Sequence, residues 1–227
     1  MYIIISINKI RLLFSTLIIV GFIFALSTPF YRQTEQKVTG PASNLTIIID
    51  PGHGSIDTGS SYKNIYEKNI NLAVGKKLKS ELSRQGFNTV LTRKKDKLYQ
   101  NDRQKDIQHR PKFAEIYDAQ LFISIHVNEF TSPQPTGSQV FFVPGSEESK
   151  KLATFIKKEL VKLRKENNRP LTPGNYYVLK NVSIPAVLIE TGFISNPRDR
   201  KLLTAETYQK KMARAISNGI KNYIQQN

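Results

Sequence analysis

The stretch Ile47-Ile48-Ile49-Asp50-Pro51-Gly52-His53-Gly54-Ser55-Ile56-Asp57-Thr58-Gly59-Ser60 (IIIDPGHGSIDTGS) decides how the chain is read. Consecutive isoleucines without polar alternation mark a strand covered on both faces. The run breaks at Asp50-Pro51 and passes into a histidine held between two glycines. Gly52 and Gly54 let the backbone turn tightly around His53 without Cβ clashes. Asp57 lies close enough to contact a ligand imidazole from behind, or to close an Asx-turn in the loop.

Outward from this stretch, strand and helix patterns alternate. Leu45–Ile49 is a strand. Tyr66–Gln85 repeats Ile70, Val74, Leu78 and Leu82 every four residues and stops at Gly86, which predicts a helix. Strands are expected at Asn88–Leu91, Leu121–His126, Gln139–Val143, Tyr176–Leu179 and Ala186–Ile189. Asp102–Tyr117 reads as a helix interrupted by Pro111. Glu148–Arg164 is amphipathic, with a lysine face read as solvated, and Ala205–Ile224 is a closing helix. The pattern predicts a single α/β domain: a mostly parallel twisted sheet of about six strands flanked by helices.

Three of these strands deliver polar residues at their ends. Ile49 leads to His53, Ile123 to His126, and Ile189 to Glu190. In open α/β sheets, sites form beyond the carboxyl ends of strands. Two of the chain's three histidines sit there; His109 has no such setting and reads as a surface residue. Glu67 stands at a helix start. There is no cysteine and no Gly-x-Ser-x-Gly elbow, so nucleophilic catalysis lacks its usual marks. Two histidines and a glutamate are a catalytic zinc set that leaves a position for water. One acid is then needed for the metal and one to move protons.

The 34 Lys+Arg against 18 Asp+Glu give a formal net charge of +16, which favours an anionic partner or simply solvated helix faces. Lys9 and Arg11 precede an uncharged apolar run through Leu26 toward Phe30, close to the ~20 residues a membrane span needs. Residues 1–30 therefore read as a signal peptide or N-terminal membrane anchor, 31–44 as a linker rich in polar residues with Pro and Gly, and 45–227 as the catalytic domain. Without the first 27 residues the charge is still 16 − 2 = +14. Export to the extracytoplasmic side of the membrane or the cell wall argues against nucleic acid as a partner.

Four ordered motifs resemble the zinc-dependent N-acetylmuramoyl-L-alanine amidases: IIIDPGHGSIDTGS, Ile65–Ala73 (IYEKNINLA), Leu121–Asn128 (LFISIHVN) and Pro185–Asn196 (PAVLIETGFISN). They span about residues 45 to 225. The resemblance implies a Zn2+ held by His53, Glu67 and His126 at the strand carboxyl ends, and Glu190 as the catalytic carboxylate. It implies peptidoglycan glycan strands and stem peptides as substrate, cut at the amide between N-acetylmuramic acid and L-alanine. Within the family, the short chain, the single apolar segment and Asn181-Val182-Ser183 before Ile184-Pro185 look like the germination-specific amidases of spore formers, which act in spore-cortex maturation before muramic δ-lactam forms. Some family members need an activating partner protein. The sequence departs from the commonest pattern at Pro111, which puts a role for Arg110 in doubt, and at Asp199, where Glu is frequent. Competing readings are another zinc peptidase of the cell wall, or a basic membrane-tethered wall-binding protein with no activity of its own.

Overall fold

The computed structural model describes residues 44–131 and 135–226. The signal or anchor segment, and the linker up to residue 43, lie outside the described residues. Among the described residues, no helix is long and apolar enough to cross a membrane.

The elements follow one another as β1 (Thr46–Pro51), β2 (Ser61–Tyr62), β3 (Ile65–Tyr66), α1 (Glu67–Arg84), β4 (Asn88–Leu91), α2 (Arg103–His109), α3 (Lys112–Ile116), β5 (Leu121–Asn128), β6 (Gln139–Phe142), α4 (Glu147–Leu163), β7 (Thr172–Pro173), α5 (Tyr177–Lys180), β8 (Ala186–Phe193), α6 (Pro197–Thr204) and α7 (Glu206–Gln225). The main sheet has six strands in the order β4-β1-β5-β8-β6-β7. The first four run parallel; β6 pairs antiparallel with β8, and β7 follows β6. The expected mostly parallel sheet is thus present.

Both faces of the sheet are covered. Ile47, Ile49, Ile123, Ile125, Val187 and Ile189 pack on one side with the apolar stripes of α1, α4 and α7. Ile48, Phe122, Ala186 and Leu188 turn to the other side, against Ala114 of α3 and Val178 and Leu179 of α5. This period of two, apolar at every position, is why the strands read as continuous hydrophobic runs. Helix ends follow the local signals. Beyond α1, Gly86 takes φ 90°, and the N–H groups of Gly86 and Phe87 return to the Ser83 and Leu82 carbonyls, a Schellman closure. Ser146 caps α4 by accepting from the Ser149 N–H at 3.1 Å.

One expectation is corrected. Tyr176–Leu179 is not a strand: Tyr177–Lys180 is one turn of helix whose Val178 and Leu179 are buried in the smaller core. The sixth strand is Thr172–Pro173, paired with Phe141 and Phe142. The expected interruption of Asp102–Tyr117 is present: one helix ends before Pro111, which serves as N-cap of the next. The hairpin β2–β3 and helix α6 carry no strong pattern in the sequence and were not expected.

The chain leaves β1 for β4 on one side and reaches β5 on the other. The carboxyl ends of β1 and β5 therefore diverge at a topological switch point, where a crevice opens.

Candidate metal centre and active site

His53 follows β1 by two residues, and its backbone takes φ 61°, in the left-handed region. The glycines beside it serve different ends. Gly54, at φ 154°, adopts a conformation that side chains disfavour. Gly52 is needed for space: a Cβ there would lie 2.2 Å from Cε1 of His126. His53 and His126 thereby approach to 5.0 Å between ring centroids, edge to face.

Glu67 is the first residue of α1, swung into the crevice by the β2–β3 hairpin and almost fully buried. Its Oε2 accepts the Ser60 N–H at 2.8 Å. Its Oε1 accepts the Val127 N–H at 3.0 Å and the Asn71 Nδ2 at 3.1 Å. These donors fix one carboxylate oxygen 3.3 Å from His53 Nε2 and 2.9 Å from His126 Nδ1. Asp57 Oδ2 lies 2.8 Å from His53 Nδ1, an acceptor that favours a proton there and would leave Nε2 to a metal ion as ligand. Asp57 Oδ1 also accepts the Gly59 N–H at 3.4 Å. Both expected uses of Asp57, ligand support and Asx-turn, occur together.

Lone pairs converge this closely only around a shared cation, either protons on the rings or a metal ion. His53, Glu67 and His126 each offer a donor atom, all within 4.8 Å of one another, and the donor set suits a divalent ion. The electrostatics agree. Burial disfavours the charged form of His53, but the Glu67 and Asp57 carboxylates outweigh it and raise its pKa. Burial works against the Glu67 carboxylate too, yet both histidines hold its pKa far below the usual range.

Glu190 sits in β8 directly opposite His126 in the β5–β8 register. The pairing then slips, Asn128 meeting Phe193, so a bulge lies beside the site. The Glu190 side chain is buried, and its Oε2 has no hydrogen-bond partner. Burial first, and the Glu67 charge next, push Glu190 up to about 7, against the pull of the histidines. Tyr176 nearby is pushed up to about 12 by its own burial and by Glu190. A cleft of about 880 Å³ opens above, lined by His53, Glu67, His126, Glu190, Arg103 and Tyr176 among others.

The structure therefore brings all four expected residues to one crevice. It differs from the sequence reading in where the strands stop, because β5 runs on past His126 to Asn128 and β8 through Glu190 to Phe193. His109 is only half-buried and stacks on Tyr99 at 3.7 Å. Arg110, whose substrate role Pro111 put in doubt, has a different place that the sequence reading missed. Arg110 is buried beneath the site in ion pairs with Asp50 at 2.7 Å and Asp106 at 2.6 Å. Asp199 is buried as well, accepting from Arg164 at 2.6 Å, Thr136 at 2.7 Å and the Gly137 N–H at 2.8 Å. Arg93 and Asn71 are further supports that the sequence reading missed.

A divalent-cation donor set with a free buried carboxyl across one strand pair is the equipment of a metal-assisted hydrolase. The chain belongs to the N-acetylmuramoyl-L-alanine amidase family, whose model matches residues 47–222. Like its relatives, it is an amidase that acts on peptidoglycan, and the resemblance carried by the four motifs holds. The germination-specific N-acetylmuramoyl-L-alanine amidase of Bacillus subtilis (strain 168) is 34% identical over 193 residues, 81% of each chain. LytC of the same organism, also an N-acetylmuramoyl-L-alanine amidase, is 34% identical over 92% of this chain, which spans only 40% of LytC. The CwlD amidase of Clostridioides difficile, solved in complex with the GerS lipoprotein, has 41% identity and a TM-score of 0.77, covering 81% of this chain and all of that one.

Proposed function

We propose that the chain hydrolyses the amide between N-acetylmuramic acid and L-alanine with a zinc ion held by His53, Glu67 and His126, and with Glu190 moving the proton. The reading is supported above all by one observation: a buried carboxyl oxygen, on Glu190, faces the donor set without a partner. Such an atom costs stability and persists where chemistry uses it. When bound, zinc supplies Lewis acidity, which polarises a carbonyl and makes water more acidic.

The chain's own residues do the rest. Glu190 takes a proton from the attacking water as the carbon–oxygen bond forms, and returns it to the alanine nitrogen as the carbon–nitrogen bond breaks. A carboxyl tuned near neutrality can do both. Asp57 holds His53 in one tautomer, and the Val127 and Ser60 N–H groups hold Glu67 in one orientation. The domain boundaries expected from the sequence fit this reading, with catalysis confined to 45–227 and export and membrane tethering assigned to the N-terminal segment.

The test is to incubate the domain with purified peptidoglycan, with zinc and after chelation. Stem peptides with free L-alanine amino termini, released only with zinc, are the expected result. Zinc-independent release, or cleavage between amino acids, would reject the proposal. A finer role follows from the germination-specific relative: cortex maturation, read by the muramic δ-lactam content of spores lacking the protein. CwlD was solved with a lipoprotein, so a partner that activates this chain is part of the same proposal.

A further inference from the structure

Beneath the crevice, two buried arginines each direct two of their four hydrogen bonds to the backbone of the His53 loop. Arg110 donates through Nη1 to the Pro51 carbonyl at 2.8 Å and through Nη2 to the His53 carbonyl at 2.9 Å. Arg93 donates through Nε to the Pro51 carbonyl at 2.8 Å and through Nη2 to the Gly52 carbonyl at 3.0 Å. Three successive carbonyls, those of residues 51, 52 and 53, are thus held from below. The same Nη2 of Arg93 reaches the Lys68 carbonyl at 2.7 Å. One guanidinium therefore ties the residue before His53 to the residue after Glu67.

The loop needs such holding. His53 and Ser55 take φ 61° and 48°, with Gly54 at 154° between them. Left-handed backbone is disfavoured for residues that carry a Cβ, so the loop holds His53 in a conformation that its surroundings must enforce. Two positive groups beneath a cation site would also repel the cation. Asp50 and Asp106 neutralise Arg110, and Thr92 and Ser124 donate to Asp50 at 2.7 and 2.9 Å. The Arg110 charge is thereby paired while its Nη1 and Nη2 still reach the loop carbonyls, and Arg93 spends its donors on backbone carbonyls.

We infer that Arg93 and Arg110 form a clamp that positions the metal donors, Arg110 by fixing His53 and Arg93 by locking the His53 loop to the start of α1. Neither arginine touches the reacting atoms; each acts through the backbone. The inference rests on His53 and Glu67 being metal ligands. A lysine cannot replace either arginine, because its ammonium lacks the rigid planar set of five donors that grips several carbonyls at once.

The test compares the Arg93→Lys and Arg110→Lys variants with Arg164→Lys. Arg164 is a partly buried arginine paired with Asp199, away from the cleft. Zinc affinity is measured by competition with a chelator, and the visible spectrum of the cobalt(II)-loaded proteins reports donor geometry. The clamp variants should remain folded by circular dichroism, lose zinc affinity by about 10–100-fold, the usual scale for residues supporting a metal ligand, and show an altered cobalt spectrum. The Arg164→Lys variant should unfold at lower denaturant yet bind zinc as the wild type does.

Unchanged zinc affinity and cobalt spectrum in folded clamp variants would overturn the inference. So would a loss of affinity in Arg164→Lys matching theirs. If Arg110→Lys does not fold, Arg93→Lys decides alone; there, restoration of affinity to Arg93→Ala by added guanidinium supports the clamp, and failure counts against it. A wild-type protein that binds no zinc would instead reject the metal reading beneath it.

Discussion

Replacing Glu190 with glutamine keeps its shape and removes one titration, and the consequence can be worked out for the metal-free domain. Burial and the neighbouring Glu67 raise Glu190 from 4.5 to about 7. A rise of that size is worth about 3 kcal/mol between the neutral and charged forms. In the unfolded chain the group ionises near its ordinary value, so between 4.5 and 7 the folded state binds more protons. Stability must then fall as pH rises through that window. Relative to wild type, the chelated Glu190→Gln protein should gain with pH, to an advantage approaching about 3 kcal/mol at pH 8. Urea unfolding of both proteins at pH 5, 6, 7 and 8 measures the gap directly. Groups remote from Glu190 titrate alike in both proteins, so the difference reports Glu190 together with the histidines and Glu67 coupled to it. A gap that stays flat across the range would refute the claim that Glu190 is held by burial in a high-pKa state. Zinc, by favouring the charged form, should narrow the gap. On peptidoglycan the same substitution should lower the hydrolysis rate by about 10²–10⁴-fold, the scale of general acid–base catalysis.

Gly52→Ala places a Cβ where the His126 ring stands, 2.2 Å from Cε1; zinc content should drop while the circular dichroism spectrum is kept. Asp57→Ala removes the acceptor that orients His53 and should weaken zinc binding by about 10–100-fold in chelator competition. Asp199→Ala takes from Arg164 its buried carboxylate partner and leaves two backbone N–H groups unpaired in the interior. It should cost about 3–5 kcal/mol in urea unfolding, with zinc affinity of the folded fraction unchanged. Gly219→Ala drives a Cβ to within 2.5 Å of the Ile156 backbone, where α7 crosses α4. The forced separation should destabilise the domain by about 1–3 kcal/mol, read as a lower unfolding midpoint with zinc affinity intact.

What the sequence reveals, and what it hides, divides along the range of the interaction. His53, His126 and Glu190 stand out because each follows a run of apolar β-formers, and burial on both faces writes those runs into the sequence itself. Glu67 stands out less, since a glutamate opening a helix is common; only the motif around it marks it. Tyr176–Leu179 misleads for a local reason. Its aromatic and branched residues suit a strand, yet Val178 and Leu179 are buried just as well on one turn of helix, closed by the Asn181 side chain on the Tyr177 carbonyl at 2.8 Å. Thr172–Pro173, which does take the strand position, is too short for any period to show.

Arg110 fails for the opposite reason. Its carboxylate partner Asp50 lies 60 residues away, and in sequence a buried arginine cannot be told from a solvated one. Nor does the sequence show that Pro111, a helix breaker, stands where the helix must end for Arg110 to turn inward. Arg93, 41 residues from Gly52, is hidden in the same way. A ligand is legible because chemistry restricts the residue type at one position and the strand restricts where that position falls. Asp57, four residues from His53, could be read with it, whereas the arginines are restricted by carbonyls about 40 to 60 residues distant in the chain, so the donor set could be read before the structure and the clamp beneath it could not.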